Sequence, residues 1–129
     1  MKNLLEFTIL TLTLLLSLST LHELGHAFFA KFENCKATSV IFEERINTYT
    51  IVKCNKEHSI LIVLGGLIFT LAFSFLLVLL GKQYLLLSLA LSILLAADDL
   101  SFINPILIYI FSAFLVSLAF LEFSKKSKF

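Results

Sequence analysis

The strongest constraint on this chain is a set of long segments that contain no Asp, Glu, Lys, Arg or His. Residues 7–21, 59–80 and 100–121 are such segments, and residues 84–97 form a shorter one. A bilayer core of about 30 Å is crossed by about 20 apolar helical residues, and each segment with its flanks approaches that length. The sequence therefore predicts four membrane-spanning helices, at about residues 4–30, 59–80, 84–99 and 105–123.

The composition supports a membrane protein rather than a soluble domain. Hydrophobic residues make up 59% of the chain and charged residues 15%, too few to cover a water-exposed surface. We expect residues 1–129 to form one domain, an all-α polytopic protein that crosses the lipid bilayer several times. We expect it to be located in the cell membrane. The net charge of +1 gives no reason to expect a nucleic-acid partner.

The first apolar segment also has features of a secretory signal peptide. Lys2 precedes it, and the small residues Ala27 and Ala30 follow. The apolar stretch continues through Ala30, however, which is long for a signal peptide. We therefore interpret it as a membrane span.

The polar stretch at residues 31–58 predicts a β-hairpin between the first two spans. Residues 38–42 and 48–52 are rich in β-branched and aromatic side chains, with polar residues between them. A turn centred on Glu44-Arg45 places Cys35 opposite Cys54, which permits a disulfide. We nevertheless expect two reduced cysteines, because the turn lacks the glycine that would fix the register.

The charges that flank the spans leave the orientation open. Lys and Arg residues on the two sides of the predicted spans balance, so the positive-inside rule gives no preference. On one side lie Lys2, Lys82, Lys125, Lys126 and Lys128, and on the other Lys31, Lys36, Arg45, Lys53 and Lys56.

A metal-binding pattern lies near the end of the first span. His22-Glu23-Leu24-Gly25-His26 matches His-Glu-x-x-His. On a helix, the two imidazoles lie one turn apart on one face and can bind one Zn²⁺. Glu23 lies about 100° around the helix from His22, where it can serve as the general base for a metal-activated water. Ionisable groups in a span are costly unless compensated, and a zinc ion supplies that compensation.

A zinc site of this kind requires a third protein ligand, and three residues are candidates. Asp98 and Asp99 lie at the end of the third span, which runs in the same direction as the first and therefore ends on the same side of the membrane. His58 opens the second span on that side, although it adjoins charged residues. The residue pattern alone leaves open which of the three binds the metal.

Gly65-Gly66 interrupts the second span with two residues that lack side chains. Such pairs allow helices to approach closely, which is the simplest interpretation. A second interpretation is that backbone near the metal is left accessible to a substrate strand.

The order of these features resembles the site-2 protease family of intramembrane zinc metalloproteases. The resemblance covers about residues 10–110. Its elements are the His22–His26 motif in an apolar helix, a hairpin, a Gly65–Thr70 segment similar to the family's Gly-x-x-x-Asn, and an Asp99–Pro105 stretch near the family's third-ligand region. Thr70 stands where the family has Asn, and the carboxylates precede Pro105 instead of following it.

The resemblance implies specific roles for these residues. His22, His26 and Asp99 would bind Zn²⁺, with Asp98 as the alternative to Asp99, and Glu23 would be the catalytic base. The segment that contains Gly65, Gly66 and Thr70 would contact substrate. The partner would be a membrane protein cleaved in or near a transmembrane segment.

Two other functions are compatible with the same residues. A non-enzymatic membrane zinc-binding or scaffold protein would retain the ligands without turnover. A metal transporter would carry polar groups along several spans, whereas here they cluster at one end, so we rank it last.

Overall fold

The computed structural model describes residues 2–43, 47–55, 57 and 59–126 and has the architecture that the sequence predicts, an all-α membrane protein with one small β-hairpin. A short 3₁₀ turn extends the second long helix. In chain order the elements are α1 (Lys2–Phe32), β1 (Lys36–Glu43), β2 (Asn47–Lys53), α2 (Ile60–Leu76), the 3₁₀ turn (Leu77–Leu79), α3 (Lys82–Leu95) and α4 (Pro105–Lys126).

Three helical segments within the described residues are long and apolar enough to cross a membrane. They are α1, α2 with its 3₁₀ turn, and α4. Helix α3 is equally apolar in character but has only 14 residues, about 21 Å of helix, which is shorter than a bilayer core. Most of the large apolar side chains on α1 and α4 face outward, as expected for helices in contact with lipid.

Helix α3 ends earlier than the predicted third span. The last helical residue is Leu95, and the chain continues in turns through residues 96–102. Asp98 and Asp99 therefore lie after the helix and not on it, which corrects the predicted boundary at residue 99. Two carboxylates at this point would oppose the negative end of the helix dipole, so termination before them is favourable.

Asn104 and Pro105 start α4 as their sequence predicts. The Asn104 side-chain oxygen accepts a hydrogen bond from the Ile106 amide at 3.0 Å. Proline suits the first helical position because no intrahelical partner is needed for its nitrogen. The start of α4 is thereby fixed at Asn104 and Pro105.

Helices α1 and α2 pack with their backbones nearly in contact. A Cβ atom added to Gly25 would overlap the Gly65 carbonyl and lie 2.9 Å from the Gly66 Cα. A Cβ atom on Gly65 would lie 2.7 Å from the Gly25 carbonyl oxygen. The glycine pair in α2 therefore serves the close helix packing that its composition predicts.

Two kinds of contact hold the remaining helices together. An apolar cluster joins α1, α3 and α4, and its most buried members are Phe7, Leu14, Leu18, Leu87, Leu91 and Ala119. Between α2 and α3, fully buried serines contact each other, with 3.3 Å between the Ser74 and Ser92 hydroxyl oxygens. Each of these hydroxyls also donates to a carbonyl of its own helix, so no cost of an unpaired polar group arises.

Strands β1 and β2 pair antiparallel in a single register over most of their length. Lys36 pairs with Lys53 and Ser39 with Thr50, and the regular pairing ends after Val40. This register brings Cys35 and Cys54 together, and they form a disulfide with Cα atoms 4.7 Å apart. The expectation of two reduced cysteines was therefore wrong, because the strand pairing fixes the register without a glycine in the turn.

The disulfide lies at the end of the hairpin nearest the end of α1. The Cys35 amide donates to the Ala30 carbonyl at 2.8 Å, so the bridge adjoins the last turns of the helix. From there the strands run back along α1, and Thr50 reaches Glu23, which lies nine residues before the end of that helix. The hairpin therefore packs against the helix that carries the motif.

Removal of the disulfide is expected to loosen the hairpin. A cross-link that closes a loop of this size stabilises by about 3 kcal/mol in the chain-entropy description. In a Cys35→Ser/Cys54→Ser variant, we expect the amides of β1 and β2 to exchange hydrogen at least about tenfold faster, with exchange in α4 unchanged. Unchanged hairpin exchange, or two free thiols in the native protein, would contradict this expectation.

Candidate metal centre

Three side-chain atoms from two parts of the chain converge at one point. The Asp99 Oδ2 atom lies 2.9 Å from His22 Nε2 and 3.2 Å from His26 Nε2. The two imidazole Nε2 atoms are 3.1 Å apart. Among the described residues, this is the group of His, Cys, Asp and Glu side chains that could hold a metal ion.

Helical spacing brings the two histidines together. They are four residues apart on α1, so both rings project from one face, and their planes are nearly perpendicular. The turn after α3 brings Asp99 to the same depth. The inference from span direction, that the histidines and the aspartates lie on the same side, is thus borne out in the positions of these side chains.

A backbone carbonyl fixes the orientation of the His26 ring. His26 Nδ1 lies 2.7 Å from the Ile62 carbonyl oxygen in the first turn of α2. A carbonyl oxygen can only accept, so Nδ1 carries the proton and Nε2 of the neutral ring keeps its lone pair. Hydrogen bonding of the second ring nitrogen to a carbonyl is the usual support of a metal-binding histidine.

The His22 ring is held by packing. It lies flat against Gly66, where an added Cβ atom would approach three of the ring atoms to 2.6 Å. Its side chain is almost fully buried, and Nδ1 has no hydrogen-bond partner within the described part of the chain. The missing side chain at Gly66 therefore provides the space that this ring occupies.

The geometry distinguishes between the two aspartates proposed as the third ligand. Asp99 belongs to the cluster, while Asp98 is exposed and lines the neighbouring cavity. His58 lies outside the described residues. Within the described chain, Asp99 is therefore the carboxylate placed beside both histidines.

The three converging atoms fit a zinc ion in chemistry and in spacing. Asp99 Oδ2 is buried and accepts no hydrogen bond from the described residues, although two imidazole nitrogens approach it. Ligands about 2.0–2.1 Å from a tetrahedral zinc stand about 3.3 Å from each other, close to the observed separations. Two imidazoles and a carboxylate are also a donor set of catalytic zinc sites.

Glu23 faces the hairpin beside the cluster. Its side chain is buried, and Oε2 accepts a hydrogen bond from the Thr50 hydroxyl at 2.5 Å. The Thr50 hydroxyl oxygen lies 3.1 Å from the Glu23 main-chain carbonyl and 3.0 Å from the Ser39 hydroxyl. The carboxylate is therefore held by strand β2 and not by the histidines of its own helix.

A cavity of about 370 Å³ adjoins this group. Its wall combines the three converging residues and Glu23 with one strand of the hairpin and the start of α2. The remaining lining residues are Thr48, Tyr49, Thr50, Val52, Ile62, Val63, Leu95 and Asp98. A volume of this size is typical of a ligand-binding cleft.

The predicted substrate-contact residues of α2 are not among the residues that line the cavity. Gly65 packs against the α1 backbone and Gly66 against the His22 ring. Thr70 is fully buried, and its hydroxyl lies 3.1 Å from the carbonyl oxygens of both Gly66 and Leu67 in its own helix. A role for these three residues in binding substrate stays a prediction.

Sequence reasoning missed the residues that support the site. The Ile62 carbonyl and the Thr50 hydroxyl were not among the predicted groups. The alternation along β2 gives a signal for Thr50, because Thr48, Thr50 and Val52 share the less exposed face of the strand. A main-chain carbonyl leaves no such signal in the sequence.

Comparisons with protein-family models, with curated proteins and with solved structures found no match to this chain.

Metal content should depend on one aspartate and not on its neighbour. We expect the purified protein to hold zinc, Asp99→Ala to lose most of it and Asp98→Ala to retain it, because Asp99, and not Asp98, lies beside both histidines. Zinc per protein, measured by mass spectrometry of metals after dialysis, tests this. Equal zinc in both variants would contradict the assignment.

The space left by the missing side chain at Gly66 should also affect zinc affinity, because the His22 ring occupies it. A Gly66→Ala substitution would push the His22 ring away from its position, so zinc affinity should fall by at least about tenfold. Ala72→Val, which adds bulk at an exposed position of the same helix, is the matched control. A competition titration with a chromogenic chelator measures both. Unchanged affinity in Gly66→Ala would show that the ring does not need this space.

Proposed function

We propose that this chain is a multi-pass intramembrane zinc metalloprotease that hydrolyses a peptide bond in or near a transmembrane segment of another membrane protein. The observation that carries the proposal is the convergence of two imidazole nitrogens and a buried carboxylate oxygen beside Glu23 in one cavity. The site-2 protease resemblance of the sequence supports the same reaction.

In the proposed reaction the chain's own residues bind the metal, hold a base and admit the substrate. His22, His26 and Asp99 would hold Zn²⁺, which when bound supplies a Lewis acid that polarises the peptide carbonyl and acidifies water. Glu23 takes a proton from the attacking water while the water oxygen bonds to the carbonyl carbon of the substrate. Glu23 then delivers that proton to the nitrogen of the departing amine as the C–N bond breaks.

The position of Glu23 supports its role as the base. Its side chain is buried next to His22 and lines the same cavity as the three metal-ligand candidates. Its contact with Thr50 keeps the group at the cavity wall instead of turning toward lipid. The base and the metal ligands thus face the same space.

Helical substrates present a further requirement, which the hairpin is suited to meet. A transmembrane helix hides its carbonyls in its own hydrogen bonds, so it must unwind before hydrolysis. Strand β2 contributes residues 48–50 to the cavity wall, and within the described parts of the chain it pairs with β1 alone. An unwound segment could add to this strand in the manner of β-augmentation.

Replacement of the base separates an enzyme from a protein that only binds metal. Glu23→Gln should retain zinc and lose at least about a hundredfold in turnover, because general-base catalysis contributes 10²–10⁴-fold. Glu6→Gln, near the start of the same helix and partly exposed, is the control.

The assay uses vesicles that contain the purified protein and single-span membrane proteins whose spans include an Asn or Pro break, with cleavage products identified by mass spectrometry. Equal cleavage by Glu23→Gln and by the unsubstituted protein (the parent) would overturn the mechanism. Zinc binding without any cleavage by the parent would favour the non-enzymatic zinc-binding function.

A further inference from the structure

We propose that Thr50 is a positioning residue for Glu23, and that a chain of hydroxyls from Ser39 through Thr50 orients the carboxylate that faces the cavity. This inference rests on the proposed function, since it assigns a role within that reaction. It concerns the hairpin, which has none of the zinc ligands and yet contacts the base.

The direction of the hydrogen bonds follows from the number of protons that each group can donate. A carboxylate accepts only, so the single hydroxyl proton of Thr50 is donated to Glu23 Oε2. Thr50 Oγ1 can then only accept from Ser39, which lies 3.0 Å away on the paired strand. Each donation polarises the next, so the pair of hydroxyls holds the carboxylate more firmly than either one alone.

The contact fixes the orientation of the carboxylate. Thr50 donates to Oε2, so one of the two carboxylate oxygens is held at strand β2. Without the Thr50 contact the Glu23 side chain could rotate about its own bonds. A base that must meet a water molecule in hydrogen-bond reach loses rate when its position is spread over several rotamers.

Thr50 also lies beside a second acceptor on α1. The Glu23 main-chain carbonyl oxygen lies 3.1 Å from the same hydroxyl oxygen. The Thr50 hydroxyl is therefore within hydrogen-bond distance of both the side chain and the backbone of Glu23, which places strand β2 against α1 at this residue.

Strand alternation gives the two hydroxyls their common direction. Ser39 and Thr50 are paired across the hairpin, and both lie on its less exposed face, whereas Thr38 and Ile51 lie on the exposed face. The disulfide at Cys35 and Cys54 closes the same pair of strands. Thr50 therefore differs from a hydroxyl residue such as Thr38 by its position on the less exposed face of the hairpin.

The test compares three substitutions in the purified full chain with the vesicle assay described above. Thr50→Val removes the hydroxyl at nearly constant shape, Thr50→Ser keeps it, and Thr38→Val makes the same change on the exposed face. We expect Thr50→Val to lower kcat at least about tenfold with KM within about twofold and zinc content unchanged. Thr50→Ser should recover most of the activity, and Thr38→Val should match the parent.

Several results would overturn the proposal while leaving the protease intact. Parent-like kcat in Thr50→Val is one, and an equal loss in Thr38→Val is another, because it would indicate a general effect of the hairpin. Failure of Thr50→Ser to recover activity would show that the methyl group matters instead of the hydroxyl. If Thr50→Val does not fold, Ser39→Ala removes the outer hydroxyl, and an unchanged kcat there would also overturn the proposal.

A stability measurement separates this inference from the proposed function. Thr50→Val should lower the melting temperature by about 5 °C in the parent and by clearly less in a Glu23→Ala background, because the partner is then already gone. If the parent cleaves nothing, the proposed function fails. The comparison of melting temperatures then tests by itself whether Thr50 and Glu23 interact. Equal shifts in both backgrounds would overturn the Thr50–Glu23 coupling.

Discussion

The structure depends on the meeting of three polar side chains inside an apolar bundle. His22, His26 and Asp99 would each be costly at membrane depth if they were separate, by about 2–3 kcal/mol at the centre of a bilayer. Together they can share one cation, and each Nε2 or Oδ2 atom is directed at the others. The arrangement of the helices follows from this requirement: α3 must return to the side where α1 carries its motif, and it must end where Asp99 can reach the histidines.

Much of this could be predicted because it rests on periodicities that the sequence displays directly. Apolar run length indicates the spans, the i, i+4 spacing places two imidazoles on one face, and the direction of alternate spans brings Asp98 and Asp99 to the same end. The residue pattern did not decide between the two aspartates, although the family resemblance favoured Asp99. The choice depends on the turns after Leu95, where Asp99 joins the cluster and Asp98 is exposed at the cavity.

Other features were beyond sequence reasoning because they arise from contacts between distant segments. The disulfide was expected to be absent, since the turn has no glycine, but the pairing of the strands themselves sets the register. The support of His26 by the Ile62 carbonyl involves a main-chain atom that every residue possesses. The contact of Thr50 with Glu23 requires knowledge of how the hairpin lies against α1, which alternation alone does not give.

The close approach of α1 and α2 has a consequence for the motif itself. Metal chemistry specifies the first, second and fifth residues of His-Glu-x-x-His and leaves the other two free. Here the fourth residue, Gly25, faces the backbone of Gly65, so a side chain of any size at that position would separate the two helices. The separation would also withdraw the Ile62 carbonyl from His26. A substitution at a chemically silent position can therefore disable the centre, and sequence variants of this chain should be judged at four motif positions instead of three.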